Sequence, residues 1–187
     1  MKRMVLAITG ASGSLYVPEF LKLAQAAGVE VHAVISDAGR EVMLLETGLA
    51  PADLDPWVAA WLGFKDFTAP MASGSSRFGA MLVLPCTMGT LGAIANGISA
   101  NLIHRAADVM LKEGRPLLLA VRETPFNRVH LQNMLKAQEA GAIICPPIPS
   151  FYHRPESLSE MARFVAARYC DLLGIPVEGM KRWGDEG

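Results

Sequence analysis

Short apolar runs alternating with helix-length stretches constrain this chain more than any other feature. Arg3–Thr9, Val29–Ser36, Ala80–Pro85, Pro116–Val121 and Ala142–Cys145 are predominantly apolar and read as strands. Between and after them, helical spacing runs over Leu15–Ala27, Asp37–Thr47, Thr87–Asn96, Ala100–Glu113, Val129–Ala140 and Ser157–Leu173. Strands buried on both faces, each followed by a helix, predict a parallel sheet covered by helices on both sides. Asp37 is available to cap the second helix. Trp57 and Trp61, four apart within Pro56–Leu62, predict one face of a short helix. With 187 residues, no internal repeat and no linker, residues 1–187 read as a single α/β domain.

Composition narrows the function classes. Lys+Arg is 17 and Asp+Glu is 18, a formal net charge of -1, which argues against a nucleic-acid-binding module. A hydrophobic fraction of 51% against 19% charged residues excludes intrinsic disorder. Mean hydropathy is +0.29, high enough to suggest either a membrane protein or surface hidden between subunits. The apolar runs are far shorter than the roughly 18–20 residues a spanning helix needs, so the expectation is a homo-oligomer without membrane contact. Met1–Ile8 imitates a signal peptide, but its apolar stretch is short and runs into a glycine turn, so it reads as the first strand. Three cysteines (Cys86, Cys145, Cys170) without CxxC spacing fit a reducing, cytoplasmic setting. The four histidines (32, 104, 130, 153) have no metal-site spacing, and no acidic cluster suited to magnesium diphosphate is present.

In an open parallel sheet, ligands bind outside the carboxyl ends of the strands, and the unusual residues cluster there. Gly10-Ala11-Ser12-Gly13-Ser14 is a small-residue turn into a helix, suited to a phosphate. Ser12 breaks the dinucleotide fingerprint and no Walker lysine follows, so a monophosphate cofactor such as FMN fits better than NAD or ATP. The competing reading is a plain tight turn. Cys86-Thr87-Met88-Gly89-Thr90 makes a second polar cradle, or Thr87 is simply an N-cap. Cys86 fits a small buried hydrophobe better than a nucleophile. Arg105 and Lys112, seven apart, point the same way and can grip a phosphate, although Asp108 between them allows an ordinary ion-pair ladder. Arg122-Glu123-Thr124-Pro125 puts opposite charges at a buried strand's end, where a carboxylate can serve as general acid or base and an arginine can hold phosphate. The proline-set segment Pro146–His153 carries Tyr152, whose hydroxyl can meet a ligand or merely pack. His153 reads as a surface histidine.

ITGASGS (8–14), MASGS (71–75), PCTMGT (85–90), IANGISANLIHRAADVMLKE (94–113), RETP (122–125) and PPIPSFYHRP (146–155) occur in this order. Together they resemble the UbiX/Pad family of flavin prenyltransferases over essentially the whole chain. The resemblance implies a Rossmann-like flavoprotein fold in a large homo-oligomer, usually a dodecamer of trimers. It implies transfer of the dimethylallyl group of dimethylallyl monophosphate to N5 and C6 of reduced FMN, without a metal. The product, prenylated FMN, goes to a UbiD-type decarboxylase. FMN is assigned to Gly10, Ala11, Ser12, Ser36, Thr87, Met88, Gly89, Thr90 and Arg122. The prenyl phosphate is assigned to Arg105, Lys112, Tyr152 and Arg168, with Trp183 a tail tryptophan near the site. Glu123 and Glu46 are implied as acid/base carboxylates, Ser12 hydrogen-bonds near the reacting flavin, and Lys112 helps stabilise the departing phosphate. Thr87 stands where the family often has serine, and Ser14-Leu15-Tyr16-Val17 is less usual after the glycine turn.

Two rivals share part of this pattern. A flavin-dependent cysteine decarboxylase would need a histidine base in the first half of the chain and a Pro-x-Met-Asn clamp. Here the only early histidine is His32, inside a strand, and the clamp is missing. A non-enzymatic FMN carrier would not require Lys112, Glu123, Tyr152 and Arg168 together.

Overall fold

The computed structural model describes residues 1–180 and Gly184. Six parallel strands form one sheet: β1 (Arg3–Ile8), β2 (Glu30–Ile35), β3 (Ala60–Trp61), β4 (Met81–Cys86), β5 (Leu117–Val121) and β6 (Ile143–Ile144), in the order β3-β2-β1-β4-β5-β6. The helices are α1 (Tyr16–Ala26), α2 (Asp37–Thr47), α3 (Met88–Ala95), α4 (Leu102–Lys112), α5 (Arg128–Glu139) and α6 (Leu158–Leu172). The order reverses at β1, whose neighbours are β2 on one side and β4 on the other. The crevice between the carboxyl ends of β1 and β4 is therefore the topological switch point where such folds hold ligands.

Alternation along the strands builds two cores. Met4, Leu6 and Ile8 of β1 pack with Leu82, Leu84, Leu118 and Ala120 under α1 and α6. Val5 and Ala7 pack with Met81, Val83, Leu119 and Val121 under α3 and α4. Phe20 and Leu21 of α1 meet this first core beside Ala162, Val165 and Tyr169 of α6, all buried. Withdrawing a side chain the size of Phe20, Leu21 or Val165 from water contributes roughly 1.5–3 kcal/mol. The helices of α4 and α6, which carry Arg105, Lys112 and Arg168, thus lie on opposite faces of the sheet.

Three local expectations are corrected. Pro56–Leu62 is not a helix: a 3-10 turn over Pro51–Trp57 leads into β3. Pro56 lacks the N–H a continuing helix needs, and the edge of β2 captures the segment, with Ala59 N–H donating to Val31 C=O (2.8 Å) and Leu62 N–H to Ala33 C=O (2.9 Å). Trp57 and Trp61 consequently share no helical face: Lys22 Nζ lies 5.6 Å over the Trp57 ring, and Trp61 Nε1 donates to Asp55 Oδ1 at 2.8 Å. The cap of α2 is Ser36, not Asp37, because Ser36 is extended and its Oγ accepts from Gly39 N–H at 3.0 Å. The last strand, β6, is only half-buried because it is the sheet edge.

Candidate active site at the strand ends

Thr9 ties the switch-point crevice together. Its Oγ1 donates to Pro85 C=O (2.7 Å) and accepts from Thr87 N–H (2.9 Å), locking the loop after β1 to the loop after β4. The turn at 10–14 presses closely on α2. A Cβ on Gly10 would stand 2.5 Å from Ala38 Cβ, and one on Gly39 would stand 2.8 Å from Ile8 C=O, so only glycine permits this approach.

Gly13 and Ser14 do not present free amides. Both donate to Glu46 Oε2 on α2, at 2.9 and 2.8 Å. Burial pushes the Glu46 carboxyl up, but the Ser12 hydroxyl and these two N–H groups outweigh it and hold it below the usual range. The anion held at this turn is thus the chain's own carboxylate. The Tyr16 ring lies under it, in van der Waals reach of Gly13, and the charges of Arg122 and Glu46 both reach its hydroxyl. Burial raises the Tyr16 pKa most, against the lowering effect of Arg122.

The loop after β4 offers the open cradle. Thr87 caps α3: its Oγ1 accepts from Thr90 N–H (3.2 Å) and donates to Thr90 Oγ1 (3.0 Å). The N-cap reading is therefore correct, and the exposed Gly89 leaves the helix start accessible to an anion. Cys86 is fully buried and its thiol is pushed up to about 12 by desolvation, which removes it as a nucleophile. Arg122 is anchored through its N–H to Cys86 C=O (3.0 Å), and its side chain is exposed. Glu123 Oε1 accepts from Thr124 N–H at 2.9 Å. Ser36 stands at the end of β2, bordering the same crevice.

The residues assigned to a prenyl phosphate divide into two groups. Arg105 pairs with Asp108 Oδ2 (2.7 Å) and donates from Nε to Ala72 C=O (3.0 Å). Lys112 pairs with Glu113 rather than Asp108, so the ion-pair ladder forms only in half. Both side chains border the 72–76 loop, which Arg115 also clamps by donating to Gly74 and Ser76 carbonyls at 2.7 Å each. Tyr152 and Arg168 line a separate cavity of about 430 Å³ with Cys145, Ile148, Phe164, Tyr169, Val177 and Met180. His153 also lines it, correcting its reading as a surface histidine. Trp183 lies outside the described residues.

Sequence reasoning missed Thr9, Tyr16 and Arg115, and misread His153. Thr9, at the end of the first strand, had a polar residue's signal in an apolar run. The others become visible only once distant segments meet. His32, the histidine a cysteine decarboxylase would need, packs edge-on against Phe78 at 5.0 Å in mid-sheet, far from a base's position at a strand end.

Residues 1–166 match the Flavoprotein family model, and the chain belongs to that family. Within it, the chain belongs to the UbiX flavin prenyltransferases. It is 46% identical over 183 residues to flavin prenyltransferase UbiX of Methanothermobacter thermautotrophicus, covering 98% of this chain and 96% of that protein. It superposes with a TM-score of 0.96 and 38% identity, over 100% of this chain and 99% of the other, on AnUbiX (PadA1) in complex with FMN and dimethylallyl pyrophosphate. A dodecameric FMN-dependent UbiX-like decarboxylase from Escherichia coli O157:H7 gives 0.92 and 36%, over 99% and 100%.

Proposed function

We propose that this chain joins the dimethylallyl group of dimethylallyl monophosphate to N5 and C6 of reduced FMN, forming prenylated FMN without a metal ion. The observation that carries the reading is the switch-point crevice, where a capped, accessible helix start, Glu46 and Arg122 meet around Tyr16. The residues fit the flavin. Gly10 and Gly39 permit the tight turn, the α3 cradle suits a single phosphate, and Arg122 and Ser36 border the same space. Reduced FMN, when bound, supplies the nucleophilic nitrogen and carbon.

The chain's own residues do the rest. Thr87, Met88, Gly89 and Thr90 hold the flavin phosphate through helix amides and hydroxyls. Gly10, Ala11 and Ser12 border the ring, with the Ser12 hydroxyl between it and Glu46. Arg105, Lys112, Arg168 and the Tyr152 hydroxyl stabilise the charge on the departing phosphate, the role a divalent cation would otherwise take. The C–O bond to phosphate breaks as N5 bonds the dimethylallyl group, and the N5 proton goes to the departing phosphate. C6 then bonds the alkene, and Glu123, with Glu46, passes the C6 proton to the alkene carbon that gains a hydrogen.

Arg105 and Lys112 sit under one face of the sheet and Tyr152 and Arg168 by the other, so one copy's pair completes its site with a neighbouring copy's. The homo-oligomer, a dodecamer in this reading, buries the apolar surface that Phe126, Val129, Leu131 and Leu135 expose around α5. Prenylated FMN passes to a UbiD-type decarboxylase in the cytoplasm. No helix among the described residues is long and apolar enough to cross a membrane.

The deciding experiment is anaerobic incubation with reduced FMN and dimethylallyl monophosphate, followed by mass spectrometry of the extracted flavin. A flavin heavier by one prenyl unit, formed in the presence of chelator, is expected. Unchanged FMN on a protein that binds it tightly would mean a carrier instead.

A further inference from the structure

Tyr152, His153 and Phe164 form a three-ring stack beside the 430 Å³ cavity. The His153 ring lies face to face on Phe164, with centroids 4.0 Å apart and planes at 7°. On its other side it meets Tyr152, centroids 3.9 Å apart and planes at 39°. Phe164 and Arg168 are four residues apart on α6, so they share one helix face about 6 Å apart along the axis. The stack therefore links the hydroxyl-bearing ring of a long loop to the arginine of a rigid helix.

The loop that carries Tyr152 is irregular. From Cys145 to Ser157 it contains no helix or strand, and Phe151 and Tyr152 are exposed. Its turn is closed by Arg154 N–H donating to Phe151 C=O at 3.0 Å. Arg154 has φ 50, the one non-glycine residue with positive φ among those described. A non-glycine residue in this left-handed conformation persists only where its surroundings hold it. The turn delivers two consecutive rings, His153 to the helix and Tyr152 to the cavity rim.

We infer that His153 is a positioning residue: stacked on Phe164, it sets Tyr152 at a fixed spacing from Arg168, so that hydroxyl and guanidinium meet one phosphate. The inference rests on the proposed function for the identity of that phosphate. The ring acts as a planar spacer, and its nitrogens take no part.

Two variants and a control separate this role from others. His153→Phe keeps a flat ring, while His153→Leu keeps volume without planarity. With reduced FMN saturating, His153→Leu should raise the KM for dimethylallyl monophosphate about tenfold with kcat changed less than about threefold, as when one hydrogen bond to a charged group is misplaced. His153→Phe should stay within about twofold of wild type. Affinity for inorganic phosphate, read by calorimetry without turnover, should follow the same order. Wild-type KM and phosphate affinity in His153→Leu would overturn the spacer role. So would equal impairment of both variants, which would make the imidazole nitrogens the active element. A wild-type protein that makes no prenylated flavin would defeat the proposed function instead, and phosphate affinity would still decide the role of His153.

Discussion

The Glu46 carboxylate on α2 accepts the backbone N–H of Gly13 at 2.9 Å, and the same oxygen takes the N–H of Ser14. Leu15, at the N-cap of α1, makes no side-chain capping bond. Glu46 instead fixes the two amides just before the helix from another helix, while Tyr16 and Val17 N–H donate to the Gly13 and Ser14 carbonyls, and a candidate acid/base group is thereby held against the turn that borders the site.

Replacing Glu46 tests both consequences. Its folded pKa is lowered, so its stabilisation is complete above the unfolded value, about 4.3, and disappears as pH falls through the folded one. Glu46→Gln should therefore lower stability in urea melts at pH 7, with the difference from wild type closing in acid. Prenyl transfer should fall roughly a hundredfold. A constant stability gap across pH would show that the charge on Glu46 contributes nothing.

Gly10→Ala puts a methyl group 2.5 Å from Ala38 Cβ, where no flexible side chain can yield. Overpacking of this kind costs about 1–3 kcal/mol, and α2 must shift away from the turn. FMN titration followed by flavin fluorescence should show weakened binding along with a lower Tm. Unaltered affinity would remove Gly10 from the cofactor site.

Thr87 combines an N-cap with a place in the phosphate cradle. Thr87→Val should lose about 0.5–2 kcal/mol of stability together with FMN affinity, whereas Thr87→Ser should restore both. Thermal melts with and without FMN distinguish the two losses, since ligand binding raises the Tm of the competent protein only.

Tyr169 is fully buried, and its hydroxyl has no hydrogen-bond partner among the described residues. Burial raises its pKa strongly, so it stays neutral. Tyr169→Phe removes an unsatisfied group and should raise stability by up to about 1 kcal/mol, or about 2–4 °C in Tm. Destabilisation would indicate that an ordered water or ligand atom satisfies the hydroxyl.

Because Lys112 and Arg168 lie on helices covering opposite faces of the sheet, complementation between subunits is expected. Lys112→Ala and Arg168→Ala should each be inactive alone. Co-expressed, they should form mixed oligomers in which some sites contain both native residues, and activity should return in part. No recovery from verified mixed oligomers would place both residues in one chain's site.

The class of fold was determined by the sequence alone, because strands buried on both faces cannot hide their hydrophobic pattern. Five strand segments and six helices were legible from it, and so were the strand-end segments that line the crevice, since β–α order decides which loops lie at the carboxyl ends. The sixth strand was not legible. Two residues at a sheet edge carry almost no periodic signal, and hydrogen bonds from β2 outweighed the helical spacing of Trp57 and Trp61. Partnerships across the fold were likewise decided only by tertiary structure: Glu46 at the Gly13 amide, Arg115 in the 72–76 loop, His153 between Tyr152 and Phe164. Each joins residues separated by at least ten positions or held by a turn, and such contacts depend on how packed elements converge rather than on any local preference of the chain.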